Sequence, residues 1–487
     1  MFIRGFDLRV PLSLLTIRIM SQKKPSESIL EVQFHGIADK GQCVGKSVSG
    51  ETVFAVGPVP GDKALIKVFR KRKGFYKGIV MSYITLSSDR IDPTCIHFSQ
   101  CGGCKWQHLS YKIQLEQKEK VVKDAISRIG KLTVDRWHPI LGADPIYFYR
   151  NKMEFTFSNR RWLTDAEIAL EENKFSPVLG FHPPGAFDKV IDIQHCSLQQ
   201  EPANHIRNTI RSIALSHKVS FYDPRNHEGF MRTLLLRVTT LGEIMVVIAF
   251  GEDDAKKISL LLQEVQIALP EITSLYYCIN TKMNDSLYDL DMHHLAGKAT
   301  IHERLGHVTY KIGPKSFFQT NTRQAVNLYN IVKEFANLNG SEIVYDLYTG
   351  LGSIALYLAA HAKHIIGIEE IAAAIEDAKM NASDNHIENV DFIAGDVRFL
   401  FHSELIQQFG KPDLIITDPP RAGMHPEVVA VLLAVEAPKI IYVSCDPATH
   451  ARDLNILSEK YHILQMQAVD MFPHTHHIEN VALLSLK

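Results

Sequence analysis

Between residues 29 and 84, short apolar runs at 29–34, 52–56, 64–69 and 78–84 are broken by glycine, with Gly57-Pro58-Val59-Pro60-Gly61-Asp62 as a turn. That pattern predicts strands of a small β-barrel. The following stretch Arg70-Lys71-Arg72-Lys73-Gly74-Phe75-Tyr76-Lys77 mixes cations with two aromatics. Such a loop can neutralise phosphates and stack bases, although a solvated hairpin tip has the same composition. Over 111–128 the positions Val121, Val122, Ala125 and Ile126, continued by Ile129, form an apolar stripe, which predicts a helix serving packing alone. Residues 137–312 mix strand and helix patterns without a repeat; a strand-like run starts at Arg150-Asn151-Lys152, and alternation over 231–250 predicts a hairpin. From 313 the order becomes strand, glycine loop, helix, strand, acid, helix, the alternation of a parallel α/β sheet covered on both faces.

A chain of 487 residues exceeds one ordinary core. The expected division is an N-terminal extension (1–23), a barrel (24–84), a central α+β domain (85–312) and an α/β domain (313–487). Hydrophobic residues make up 46% and charged ones 22%, and no apolar run approaches 18 residues, which argues against a membrane span and against wholesale disorder. A net charge of -1 leaves a locally basic RNA-binding face possible. Residues 1–20 carry Arg4, Arg9 and Arg18 around a short apolar stretch, but Asp7 interrupts it and no cleavage site follows, so a signal peptide is not expected and Met20 is an alternative start. Seven unevenly placed cysteines fit reduced thiols and a cytoplasmic protein better than a disulfide framework.

Candidate chemistry concentrates in the α/β region. A strand ends in Val344-Tyr345-Asp346-Leu347-Tyr348, Gly350-Leu351-Gly352 makes a tight turn, and a helix opens at Ile354. The next strand ends in Glu369, 19 residues after Gly350, where a carboxylate can accept ribose hydroxyls. Gly350-x-Gly352-x-x-Ala355 also satisfies a dinucleotide fingerprint, so an NAD-dependent oxidoreductase competes at this point. Downstream, Asp396 follows a third strand, where it could bind an adenine amino group, and Asp418-Pro419-Pro420-Arg421 ends a fourth. Acids at the ends of successive strands resemble the class I methyltransferase arrangement, which implies S-adenosylmethionine as the ligand.

A fifth strand delivers Ser444-Cys445-Asp446-Pro447 to the same rim, because ligands of such sheets gather at the strands' carboxyl ends. A buried structural thiol is the alternative. Carbon 5 of uracil is a poor nucleophile, and thiolate addition at carbon 6 makes it enolate-like, so a rim cysteine suits methyl transfer to that carbon. A base must then remove the carbon 5 proton: Glu479 is the candidate, with His476 and His477 as rivals. Asp418-Pro-Pro-Arg-Ala-Gly423, Ile441-Tyr442-Val443-Ser444-Cys445 and Asp470-x-Phe-Pro-His-Thr-x-His-Ile-Glu479 together resemble the RNA (uracil-5-)-methyltransferase family over most of the chain. The resemblance implies Cys445 as nucleophile, Glu479 as base, and Gln319 of Phe317-Phe318-Gln319-Thr320-Asn321 at the cofactor pocket with Tyr348, Glu369 and Asp418. Thr349 and Ser353 depart from the family's glycine turn, leaving a Ser353 contact in doubt. Arg421 fits neither the Pro-Cys of cytosine-5 enzymes nor the aromatic of adenine amino-methyltransferases.

Cys95, Cys101, Cys104 and the more distant Cys196 could hold zinc or an iron-sulfur cluster, with His97, His108 and His195 as minor rival ligands and Cys43 and Cys278 inert. The family resemblance implies a 4Fe-4S cluster, a TRAM RNA-binding barrel over 29–84 and 23S rRNA as substrate, without DNA or membrane partners; oligomeric state is left open. The alternatives are the same chemistry on tRNA, or an iron-sulfur RNA-binding assembly factor whose methyltransferase domain is vestigial.

Overall fold

The computed structural model describes residues 28–487 apart from Lys73, Glu171 and Glu172, so the expected extension at 1–23 and the Met20 start lie outside the described residues. Ser28–Ile37, Cys43–Ser47, Thr52–Ala55, Lys63–Arg72 and Phe75–Thr85 form a closed five-stranded barrel around Val32, Phe34, Val53, Ile66 and Val68. Cys43–Ser47 was hidden in the sequence by Gly45, whose lack of a side chain is required: a Cβ there would come within 2.6 Å of the Gln33 carbonyl. The basic stretch is the tip of a hairpin, paired Arg70↔Lys77, Lys71↔Tyr76 and Arg72↔Phe75, rather than an open loop.

The central sheet has seven strands: His293–Gly297, Ser274–Ile279, Ile244–Phe250, Met231–Val238, Lys152–Ser158, Val178–Phe181 and Ile191–Asp192. Its predicted hairpin, Met231–Val238 with Ile244–Phe250, is buried on both faces. The alternation splits between two cores. Leu234, Leu236, Val246 and Ile248 pack with the helices Ala203–Ser216 and Ala255–Ala268, whereas Leu235, Met245, Val247 and Ala249 join a core shared with Tyr310, Leu328 and Val344. The central and C-terminal regions are thus fused through apolar burial, the main driving force for such packing.

The C-terminal sheet runs Val390–Ala394, His364–Glu369, Ile343–Leu347, Leu414–Thr417, Lys439–Ser444, Glu479–Leu486, Tyr461–Val469 and Arg136–Trp137. The first five are parallel, and Glu479–Leu486 is antiparallel to its neighbours. Arg136–Trp137 extends the edge beside Tyr461–Val469. A strand and a helix from the expected central region, 85–312, thus belong to this layer. The helix Tyr111–Asp124, with a following turn over Ala125–Gly130, packs Val122, Ala125 and Ile126 into the same core as Leu454 and Leu457 of the helix Pro447–Leu457. Among the described residues no helix is long and apolar enough to cross a membrane.

Candidate active site

Strand Ile343–Leu347 has strand His364–Glu369 on one side and Leu414–Thr417 on the other, so the chain reverses its direction of winding there, the position where such sheets bind ligands. The turn after it is left-handed at Tyr348 (φ 65°), Gly350 (φ 57°) and Gly352 (φ 81°). The glycines differ in purpose. A Cβ on Gly352 would lie 2.7 Å from the Phe392 ring, so that glycine serves close packing, whereas a Cβ on Gly350 would meet nothing within 4 Å, which leaves backbone open to a ligand. Glu369 accepts from the N–H of Gly350 (3.1 Å) and of Ile371 (3.1 Å), fixing the acid across the turn. Asp396 caps the short helix Val397–Leu400 and is held below the usual carboxylate range by hydrogen bonds from Arg398. Its expected adenine contact would compete with that pair. The Ser353 hydroxyl accepts from Tyr329 (2.9 Å) and its carbonyl from Tyr310 (2.8 Å), which commits it to packing.

Gln319 lies on the segment entering the helix Thr322–Ala336, and the central sheet holds its backbone. Asn151 Nδ2 donates to the Gln319 carbonyl (2.9 Å) and to Thr322 Oγ1 (2.9 Å), and Arg237 donates to the Ser316 carbonyl.

The candidate catalytic side chains lie at adjoining strand ends. The pairing Val443↔Val481 and Ser444↔Asn480 places Cys445 opposite Glu479, with Asp418 after the neighbouring strand. Their electrostatics are coupled. Burial, then the charges of Glu479 and Asp418, push the Cys445 thiol up to about 12. Glu479, itself buried, is raised well above the carboxylate range by burial and Asp418, with Arg421 opposing. Asp418 is pushed up to about 7 by burial and by the charge of Asp346, which burial raises to about 7 as well. His476 and His477 are depressed to about 3 and about 4, mainly by burial.

The sequence missed what holds the last motif in place. The helix expected to serve packing alone also carries Lys118, whose ammonium contacts Asp470 at 2.5 Å in a buried pair, and the half-buried Tyr111, which donates to Asp470 at 2.9 Å. Gln114 accepts from the His474 N–H (3.0 Å), while the His474 carbonyl accepts from the N–H groups of Lys105 (2.8 Å) and Trp106 (3.1 Å). Tyr149 donates to the Pro473 carbonyl (3.0 Å), and Asn321 to that of Met471 (2.9 Å). Gln114, Lys118 and Val122 lie at four-residue intervals on one buried face, so the available signal was a polar continuation of the apolar stripe.

Cys95, Cys101, Cys104 and Cys196 line one cavity of about 520 Å³, which also reaches Arg150 and Thr320. Among the described residues no group of three or more His, Cys, Asp or Glu side chains is arranged to hold a metal ion. Of the expected rival ligands, His97 and His195 line the same cavity, His97 also accepting from the Gln194 N–H (3.1 Å), whereas His108 bonds the Gly57 carbonyl (2.9 Å). Cys43 is buried and donates to the Gly36 carbonyl, and Cys278 is buried too.

This fold and rim define a class I, S-adenosylmethionine-dependent methyltransferase. A family model described as tRNA (Uracil-5-)-methyltransferase matches residues 279–487. An RNA methyltransferase of Bacteroides thetaiotaomicron is 47% identical over 456 residues, 93% of this chain and 100% of its own length. One from Porphyromonas gingivalis is 48% identical over 440 residues, covering 89% and 95%. The crystal structure of Pyrococcus abyssi tRNA (uracil-54, C5)-methyltransferase in complex with S-adenosyl-L-homocysteine is similar with a TM-score of 0.73 and 29% identity, covering 93% of this chain and 100% of that one. The chain belongs to the RNA (uracil-5-)-methyltransferase family.

Proposed function

We propose that the protein methylates carbon 5 of a uridine in structured RNA, with Cys445 as nucleophile and Glu479 as base. The observation that carries this is the register of the last two rim strands, which sets Cys445 and Glu479 at adjoining ends with Asp418 alongside. The Cys445 thiolate adds to carbon 6, forming a carbon–sulfur bond as the ring electrons move toward oxygen 4. Carbon 5 then takes the methyl group of S-adenosylmethionine, which leaves as S-adenosylhomocysteine. Glu479 accepts the carbon 5 proton, the double bond re-forms, and the thiolate is expelled. Gln319, Tyr348, Gly350, Gly352, Glu369, Asp396 and Asp418 are assigned to the methyl donor.

The enzyme is placed in the cytoplasm, acting on 23S rRNA. A second reading, tRNA, is favoured by the tRNA enzyme's likeness across its whole length and 93% of this chain. Mass spectrometry of 5-methyluridine in separated rRNA and tRNA, with and without the gene, decides between them; loss from neither pool removes the activity. Cys95, Cys101, Cys104 and Cys196 are assigned to a 4Fe-4S cluster. That the four thiols line one cavity supports the assignment, although their side chains are not arranged to hold a metal ion in this structure; zinc has the same ligand chemistry. Iron and sulfide assays on anaerobically purified protein test it, and zinc in their place would reverse the assignment.

A further inference from the structure

On the sequence reading, the barrel would meet RNA through its basic stretch 70–77. A different barrel element lies at the reacting thiol. We propose that Lys40 binds a backbone phosphate flanking the uridine that reacts with Cys445, so that the barrel helps seat the target nucleotide itself. This rests on, and deepens, the uridine reading above.

Lys40 lines the same cavity as Cys445, Trp106, Arg421, His476 and His477. The turn that carries it is pinned from three directions. The Lys105 ammonium donates to the Lys40 carbonyl (2.8 Å), the Trp106 indole donates to the Gly41 carbonyl (3.3 Å), and a Cβ on Gly41 would lie 3.1 Å from the His476 Cβ. Lys40 itself is left-handed (φ 63°, ψ 16°), a conformation a lysine adopts only where its surroundings over-determine it. The backbone is thus fixed while the side chain stays exposed.

Charge decides the occupant. Lys40, Arg421 and Lys118, the last already paired with Asp470, are cationic members of the cavity wall, and among the described residues its one carboxylate, Asp446, already faces Arg421 at 3.6 Å. A nucleotide turned out of its stack toward a thiol brings its flanking phosphates with it, and phosphate is the group that a lysine at such a rim recognises.

The experiment uses 5-fluorouridine-substituted transcripts of 23S rRNA and of tRNA, which trap the Cys445 adduct, and measures both RNA affinity against salt and adduct formation at saturating RNA. Lys40→Asn keeps the left-handed turn and removes the charge. It should lower the slope of log affinity against log salt by about 0.7–0.9, and slow adduct formation several-fold even at saturation. Lys40→Arg should restore both. Lys46→Ala, also on the barrel but bonded to Gly50 and Thr52, should leave the saturated adduct rate unchanged. An unaltered salt slope with an unaltered adduct rate in Lys40→Asn overturns the proposal. Failure of the wild-type enzyme to form an adduct with either transcript would instead strike the uridine chemistry, and the salt slope alone would then judge Lys40.

Discussion

Cys445 and Cys104 are thiols in different regions, each pushed up to about 12 first by burial, yet their neighbours point to different chemistry. Beside Cys445 the next contributors are the carboxylates of Glu479 and Asp418, groups able to hold and pass a proton. Beside Cys104 the next is a hydrogen bond with Gln107, which opposes the rise, followed by Cys101, Cys196 and Cys95, groups able to donate electron pairs to a soft metal. Thiol basicity alone does not separate a nucleophile from a ligand; the company each keeps does. Burial opposes ionisation of both thiols, and a positively charged methyl donor beside Cys445 would favour its thiolate.

Exchanging the two cysteines' fates is the sharpest test of this contrast. Cys445→Ala should abolish the 5-fluorouridine adduct and lower methylation by on the order of 10⁴-fold or more, while leaving iron content unchanged. Cys104→Ser should show the reverse, losing iron while still forming an adduct. If Cys445→Ala kept its turnover, the division of labour would be wrong. Glu479→Gln comes next: a missing base costs on the order of 10²–10⁴-fold, and because elimination needs that base, the variant should accumulate a methylated covalent intermediate on ordinary RNA. A gel-stable complex carrying the transferred methyl group checks it.

The regions are joined by the Lys118–Asp470 pair, and breaking it sharpens how far one depends on the other. Lys118→Met leaves the Asp470 carboxylate buried without its cation, a loss of about 3–5 kcal/mol for pairs of this kind. A denaturant titration reads the loss, and restoration by the double change Lys118→Met with Asp470→Leu would assign it to the pair. Methylation in the single variant should fall because the loop leading into Glu479 is released.

What the sequence revealed follows the same division. The α/β layer was readable because its parallel strands are apolar runs ending in glycine or an acid, and Cys445, Asp418 and Glu479 sit in short contiguous motifs. Helix Tyr111–Asp124 was recognised as a helix, but its partner Asp470 lies about 350 residues further along the chain, and no local pattern carries a contact that distant. Arg136–Trp137 escaped for a related reason: two residues make no periodicity, and only the neighbouring strand defines them as part of the sheet. Cys43–Ser47 reads as a loop because Gly45, which its close strand crossing demands, also marks turns. Cys95, Cys101, Cys104 and Cys196 were grouped in the sequence by residue type, whereas their common cavity is a product of the fold.

The smallest expected effect concerns protons at the rim. Asp418 sits at about 7 in the ligand-free protein, raised above its ordinary 3.8, so the folded state carries a proton there that the unfolded chain would have lost. The sign follows: between pH 4 and 7 rising pH removes stability from the ligand-free protein, and above about 7 the full penalty of an ionised buried carboxyl remains. Binding a positively charged sulfonium nearby favours the ionised form, so S-adenosylmethionine affinity should rise with pH, by at most about tenfold per unit below 7, and level off above it. His476 and His477, at about 3 and about 4, stay neutral in the folded protein through this window and do not distort the profile. Calorimetric titration from pH 5.5 to 8 should show the rise in wild type and a flat line in Asp418→Asn. A wild-type profile already flat would mean that Asp418 is not coupled to the methyl donor, and that the carboxylates around Cys445 tune the thiol alone.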